Sequence, residues 1–174
     1  MPRYWNHKNP LSRARLLELL EYVPETGKLY WRVDRNSYGG KAKAGSEAGQ
    51  TDRYGYRYIG IDGGICQAHT LVWVYVHGAW PVHQIDHRNM IQDDNRIENL
   101  REATMTMQRA NQRVRRDSTS GIKGIQLTKS GKWRARIRKH GVEYHLGRFD
   151  TAEAAKRAYD AMAQKLFGEF ARAA

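Results

Sequence analysis

The chain has 174 residues, enough for one ordinary domain or two small ones, so a single large core is not required. Its 30 Lys and Arg outnumber 18 Asp and Glu, and the formal net charge of +12 favours a polyanionic partner, nucleic acid before a membrane surface. Lone Cys66 excludes an internal disulfide and a Cys-x-x-Cys zinc site, and no stretch approaches the ~20 apolar residues of a spanning helix; we therefore expect a cytoplasmic protein with no membrane partner.

The first part of the chain predicts alternating helices and strands. Residues 11–22 carry a helical apolar stripe and end at a Pro-Glu-Thr-Gly turn, and residues 29–33 alternate as a strand does. A basic, Gly-rich stretch follows at 35–50, and residues 54–68 then predict a hairpin with a tight Asp-Gly-Gly turn. Residues 69–77 are nearly apolar all round, which indicates a buried helix.

The last third of the chain predicts a small sheet with one helix. Three strand-like runs lie at 124–128, 132–138 and 142–149. An amphipathic helix at 151–167 opens with a sequence typical of a capping box. Before them, residues 113–121 are basic and rich in Ser, Thr and Gly, and the absence of an apolar period indicates a linker.

The segment from Gln84 to Leu100 concentrates the residue types that phosphodiester hydrolysis requires. It holds the pair Asp86-His87 among several amides. Carboxylate and amide oxygens suit a hard cation such as Mg²⁺, which keeps waters of its own. Imidazole, with a pKa near 6.5, suits the removal of a proton from water at neutral pH.

At these residues a family resemblance becomes clear. Asp86-His87, Asp94-Asn95-Arg96 and the run from Asn99 to Thr104 resemble the ββα-metal HNH endonucleases of phage and homing type, and the upstream turn, hairpin and buried helix are similar to the same proteins. The resemblance covers about residues 11–112 and implies a divalent metal, Mg²⁺ first and Mn²⁺ second. The roles it implies are metal ligand for Asp86 and Gln108, general base for His87 and loop brace for Asn99, with Asn111 as a substitute ligand.

Simpler interpretations stand beside these roles. For Asn99, a structural role in the turn is favoured over a catalytic one. For His69, a buried or capping role is favoured over a catalytic one. Exposure without a role is favoured for His83. Gln108 stands where family members commonly carry Asn or His, and Met90 stands where they usually have Gly.

The strand at 132–138 alternates apolar residues with Arg134, Arg136 and Arg138, and no acid interrupts it. One face would pack while the other meets DNA. Residues 118–170 resemble the APETALA2-type DNA-binding domain, which lays a three-stranded sheet in the major groove with a helix behind. The positions that the resemblance implies as DNA contacts are Lys123, Gln126, Thr128, Arg134, Arg136, Arg138 and His145.

We therefore expect an α+β protein with an HNH ββα-metal nuclease domain at 1–112, its core at 82–112, a basic linker at 113–120, and an APETALA2-like domain at 121–174. The expected function is a metal-dependent homing or phage endonuclease that nicks double-stranded DNA as a monomer or homodimer, in the host cytoplasm if phage-encoded. A non-catalytic DNA-binding regulator with a decayed HNH fold is the alternative. An RNA-binding protein is a third.

Overall fold

The computed structural model describes residues 11–37, 40–111, 114 and 120–171, with backbone only at 36, 37, 40 and 109–111. Within them the chain forms two compact units, divided between Ala103 and Thr104. Both mix helices with small antiparallel sheets, in agreement with the predicted mixed class. No helix of the described residues has the length and apolar character needed to cross a membrane.

The first unit opens with a short helix that turns directly into a hairpin. Helix α1 spans Arg13–Leu19, β1 spans Leu20–Val23 and β2 spans Lys28–Trp31. The predicted helix over 11–22 is therefore wrong in its last three residues, which belong to β1. In β1, burial alternates every second residue, as in a strand, and does not follow the 3.6-residue period of a helix. Leu20 pairs opposite Trp31 across the tight turn.

The middle of the first unit contains two small sheets and one helix. A hairpin joins β3 (Arg35–Ser37) to β4 (Gly40–Ala42), so the Gly-rich stretch is partly ordered as strands. A three-stranded sheet joins β5 (Gln50–Thr51), β6 (Arg57–Ile61) and β7 (Gly64–Gln67) in that order. Helix α2 spans Ala68–His77 and ends at Gly78, whose φ of 77° is the left-handed cap that glycine favours. The predicted hairpin and buried helix are confirmed.

One apolar core holds these elements together. Its largest fully buried side chains come from α1 and both early strands, from β6 and from α2: Leu16, Leu20, Leu29, Ile59, Ile61, Leu71, Val72 and Val74. Ile85 and Leu100 join the same cluster. The strands that carry the candidate catalytic residues are therefore anchored in the main core of the unit.

Those strands form a two-stranded antiparallel sheet. Strand β8 spans Gln84–His87 and β9 spans Leu100–Ala103, with a polar loop between them. Helix α3 follows at Met105–Asn111, and the Thr104 hydroxyl accepts a hydrogen bond from the Met107 amide at 3.3 Å, as the side chain of an N-cap residue does. Helix α3 belongs to the second compact unit. The domain limits at 112 and 121 stay a prediction.

The remainder of the second unit matches the predicted sheet and helix. Strands β10 (Ile125–Leu127), β11 (Trp133–Lys139) and β12 (Val142–Phe149) pair antiparallel in chain order, and α4 (Ala152–Phe167) packs on them. Gly124 permits this packing because a side chain there would collide with the Tyr159 ring of α4. Most of the predicted linker lies outside the described residues.

Candidate functional site

Strand β8 presents the pair Asp86-His87 at the end of the two-stranded sheet. The Asp86 side chain is 18% exposed, whereas His87 is only 4% exposed. Successive side chains of a strand point to opposite sides. The carboxylate and the imidazole therefore have different surroundings, although they are neighbours in sequence.

The His87 ring is held by a second buried side chain, Asn95. The distance between His87 Nε2 and Asn95 Oδ1 is 3.0 Å, and Asn95 is 2% exposed. Because an amide oxygen only accepts, this contact places the ring proton on Nε2 and leaves the lone pair on Nδ1. Burial lowers the pKa of His87, so the ring is neutral at pH 7 and able to take up a proton.

A second imidazole, His69 of α2, packs against His87. The two ring centroids are 5.1 Å apart in an edge-on arrangement, and the Tyr56 ring lies 5.9 Å from His69 and 6.2 Å from His87. His69 is 5% exposed, as expected for a buried histidine. The His69 ring therefore packs behind the His87 ring and helps to fix its position.

Burial of His69 makes the first unit sensitive to acid. Burial, with a smaller contribution from His87, lowers the pKa of His69 from 6.5 to about 3. The unfolded chain therefore takes up this proton first as the pH falls. Stability from the neutral ring is complete above pH 6.5 and is lost towards pH 3, at a rate of about 1.4 kcal/mol per pH unit. Urea unfolding at a series of pH values from 7 to 4 tests this. The free energy of unfolding of His69→Gln should fall less with decreasing pH than that of the wild type. The same pH dependence for both proteins would contradict the prediction.

Asn99 braces the loop between β8 and β9. Its side-chain oxygen accepts from the Asn89 amide at 3.0 Å, and its side-chain nitrogen donates to the Asp94 carbonyl at 2.7 Å and to Asn89 Oδ1 at 3.0 Å. With 6% exposure, it ties both halves of the loop together. A catalytic role for Asn99 stays a prediction. Met90, in the same loop, has a φ of 61°, a conformation that favours glycine.

The N-terminal hairpin supports the same loop from outside. The Tyr22 hydroxyl donates to the Asn95 carbonyl at 3.2 Å and accepts from the Ile97 amide at 3.0 Å. Gly27 lies so close to the backbone of Asn95 and Arg96 that any side chain there would collide with it. The hairpin therefore helps to set the position of Asn95, and through it that of His87.

Asp86, the predicted metal ligand, is paired with Arg101 on β9. The two residues are partners in the strand register, and Arg101 Nη2 and Nε lie 3.0 and 3.2 Å from Asp86 Oδ2. Arg101 is 6% exposed. A hard carboxylate oxygen fits Mg²⁺ chemically, and a cation at Asp86 would compete with this guanidinium. No group of three or more His, Cys, Asp or Glu side chains among the described residues forms a metal site.

The other predicted metal ligands lie on α3. Gln108 is half-buried on this helix, which belongs to the second unit, so its pairing with Asp86 remains a prediction. The side chain of Asn111 lies outside the described residues. Cys66 is buried in the first unit, and burial raises the pKa of its thiol to about 12, which excludes it as a ready thiolate ligand.

The second unit contains the predicted basic sheet face. On β11, Ala135 and Ile137 are buried, whereas Arg136 and Arg138 are exposed and Arg134 is half-buried. The predicted alternation is confirmed. Strand pairing adds Arg148 beside Arg134, which lengthens the row of cations beyond the three predicted from the single strand.

An acidic side chain also lies on this face. Glu143 of β12 lies 3.3 Å from Arg136 Nη1 and 3.6 Å from His145 Nε2. No acid interrupts β11 itself, but its neighbour strand supplies one. Such a half-exposed pair contributes little and can be exchanged for a phosphate at small cost.

The remaining predicted contact residues differ in their freedom to meet a partner. The Gln126 side chain accepts from Arg134 Nη2 at 2.7 Å on the same face. The Thr128 hydroxyl donates to the Lys132 carbonyl at 2.8 Å and so braces the turn. His145 has a 68% exposed side chain, and Lys123 is half-buried.

The sequence interpretation missed three partner residues: Asn95, Arg101 and Glu143. Asn95 and Arg101 stood inside the recognised motif but received no role. The signal that identifies Arg101 is the register of the β8–β9 pair, which places it opposite Asp86. For Glu143 the signal is likewise the strand register. It places Glu143 opposite Arg138 on β11, and so on the same face as the neighbouring Arg136.

Comparison with known proteins gives a separate match for each part of the chain. Residues 66–110 match the HNH endonuclease family, and residues 120–169 match the AP2 domain. A protein of Acanthamoeba polyphaga mimivirus described as an uncharacterized HNH endonuclease is 30% identical over 118 residues, 65% of this chain and 59% of its own length. An ethylene-responsive transcription factor of Arabidopsis thaliana is 45% identical over 56 residues, 31% of this chain and 22% of its own length.

The chain thus spans less than two thirds of either relative. No solved structure matches it. The HNH match begins at Cys66 on β7 and covers α2, both strands of the candidate site and most of α3. The AP2 match covers the whole basic sheet and α4. The chain therefore combines a segment similar to HNH endonucleases with a segment similar to the AP2 domain, in that order.

Proposed function

We propose that the protein is a metal-dependent HNH endonuclease that nicks duplex DNA, with the AP2-type sheet supplying much of its DNA affinity. The observation that carries the proposal is the buried His87, held by Asn95 beside Asp86 within the HNH-matching segment. A neutral ring and a fixed tautomer are what a general base needs. Homing or phage DNA processing is the proposed setting.

In this mechanism, His87 Nδ1 accepts the proton of the attacking water. Asn95 holds the ring through Nε2 and stabilises the imidazolium that forms. Asn99 fixes the loop that carries both strand ends. Asp86 would hold the cation, with Gln108 as the proposed second oxygen ligand. When bound, Mg²⁺ or Mn²⁺ would supply positive charge for the scissile phosphate and the leaving oxygen.

A single centre of this kind cuts one strand. A monomer would therefore nick, and a double-strand break would require a homodimer or two successive events. The test is incubation of supercoiled plasmid with the protein and Mg²⁺ or Mn²⁺, beside an EDTA control. We expect metal-dependent conversion to open circles before any linear product. Wild-type protein that leaves the plasmid supercoiled with either metal would refute the nuclease proposal.

The alternative function is a DNA-binding regulator without catalysis. The Asp86–Arg101 pair favours it, because a guanidinium already neutralises the carboxylate that catalysis would assign to a metal. Duplex binding without cleavage under every metal condition would support this alternative.

For the sheet, Arg136→Ala should weaken duplex binding and make it less salt-dependent. Loss of one phosphate contact lowers the slope of log affinity against log salt concentration by about 0.9. The matched control is Arg157→Ala, which removes the same charge from an exposed position on α4, the helix behind the sheet. Fluorescence anisotropy with a labelled duplex in EDTA measures both. Equal slopes for the two variants would contradict the assignment of this face to DNA.

A further inference from the structure

The turn that joins β5 to β6 projects an aromatic and a basic side chain into solvent. Tyr54 is 63% exposed, and the adjacent Arg53 is also exposed. The Arg53 guanidinium lies over the Tyr54 ring at 4.7 Å from the centroid, and its Nη2 donates to the Tyr54 hydroxyl at 2.6 Å. The pair forms one compact tip, termed here the Arg53–Tyr54 tip.

The backbone beneath this tip is tied down by Asp52. One oxygen of the Asp52 carboxylate accepts from the amides of Tyr54 and Tyr56 at 2.8 and 3.0 Å. The Asp52 amide donates to the Tyr56 carbonyl at 2.8 Å, and the Gly55 amide donates to the Asp52 carbonyl at 3.0 Å. Because these hydrogen bonds hold the turn in one conformation, little conformational entropy would be lost when the tip binds a partner.

The same turn is joined to the candidate catalytic centre. Tyr56 packs against His87, and Gly55 lies against the Gln92 side chain of the loop between β8 and β9. One residue further, the Arg57 guanidinium contacts the Asp93 carboxylate at 3.0 Å. Three contacts therefore fix the tip beside the loop that carries the centre, within the same compact unit.

The chemistry of the tip suits an anionic, hydrogen-bonding surface. The guanidinium offers several donors in a planar fork, and its stacking on Tyr54 holds that fork in one orientation. An exposed Tyr adds contact area with few rotatable bonds. In a chain of net charge +12, the partner that such a group fits beside a phosphodiester centre is the phosphate backbone of a duplex.

We propose that the Arg53–Tyr54 tip is a second duplex-DNA contact, separate from the AP2-type sheet, which grips the DNA backbone next to the bond presented to Asp86 and His87. It rests on the proposed function only in assuming that DNA passes the centre. The tip positions the substrate and takes no part in the chemistry.

The test uses the full chain carrying His87→Ala, in EDTA, so that binding is measured without cleavage. Arg53→Ala should lower the salt slope of duplex binding by about 0.9. Tyr54→Ala should weaken binding by about two- to tenfold, as for one lost hydrogen-bonded contact. The matched control is Arg32→Ala, which removes an exposed cation next to Val33. Val33 lines the same cavity as Asp62, which follows β6 at the end opposite the tip.

A photo-crosslinking amino acid at position 54 gives a readout that a structural role would not produce. It should attach to duplex DNA, whereas the same group at position 33 should not. Crosslinking at 54 together with a slope change in Arg53→Ala but not in Arg32→Ala supports the proposal. Unchanged binding of both tip variants and no crosslink at 54 would overturn it. If crosslinking persists but the wild type does not nick plasmid with metal, the nuclease proposal fails and the DNA contact stands.

Discussion

Replacement of His87 with alanine is expected to lower the rate of metal-dependent DNA nicking by about 100- to 10,000-fold, the range that general-base catalysis contributes. The physical reason is specific to one atom. Asn95 occupies Nε2, so Nδ1 is the position that remains to accept a proton from water. Without the ring, the attacking water has to lose its proton to solvent.

Single-turnover nicking of plasmid with Mg²⁺ measures this rate, and anisotropy in EDTA checks that duplex binding is retained. The matched comparison is Asn95→Leu against Asn95→Asp. Leucine removes the acceptor for Nε2, whereas aspartate keeps one, so activity should fall with leucine and be largely retained with aspartate. A His87→Ala protein that nicks at the wild-type rate would remove His87 from the mechanism.

Replacement of Arg101 with methionine is expected to lower the free energy of unfolding of the first unit by about 3 kcal/mol, because it leaves a partly buried carboxylate without its guanidinium. Arg101 has a 7% exposed side chain and that of Asp86 is 18% exposed, so solvent can replace the lost partner only in part. A methionine fills much of the volume of the arginine stem, which separates the loss of charge from the loss of packing.

The matched control for Arg101 is Arg96→Met. Arg96 pairs with Asp94 at 2.7 Å, but its side chain is 42% exposed. Solvent should therefore make the loss of this pair much less costly than the loss of the Asp86–Arg101 pair. Urea unfolding in EDTA measures both variants. Added Mg²⁺ should restore more stability to Arg101→Met than to the wild type, since the cation no longer competes with a guanidinium. Equal unfolding free energies for the two variants would show that the Asp86–Arg101 pair contributes no more than a surface pair.

The pairing of Arg101 with Asp86 affects how a cation would bind at the candidate centre. In the structure the carboxylate and the guanidinium neutralise each other inside the unit, which lowers the cost of burying Asp86. A cation at Asp86 would have to displace or share this partner.

The sequence by itself determined the elements whose signals are local. The hairpin with its Asp-Gly-Gly turn, the buried helix α2 and the capped helix α4 follow from residue period and turn chemistry within short windows. The alternation of arginine with apolar residues on β11 likewise defined a buried and an exposed face, because strand geometry fixes which side chains share a side. The motif around Asp86-His87 was recognised from the resemblance of its residues to a known family.

The tertiary structure decided what depends on partners distant in sequence. Leu20 to Val23 continue a helical apolar stripe, but pairing with Lys28–Trp31 makes them a strand. Asn95 and Arg101 became the partners of His87 and Asp86 only when the loop folded back and the register of β8 with β9 was fixed. Local propensity is worth a few tenths of a kcal/mol per residue, whereas burial and pairing across the core are worth several times more, so tertiary contacts prevail where the two disagree.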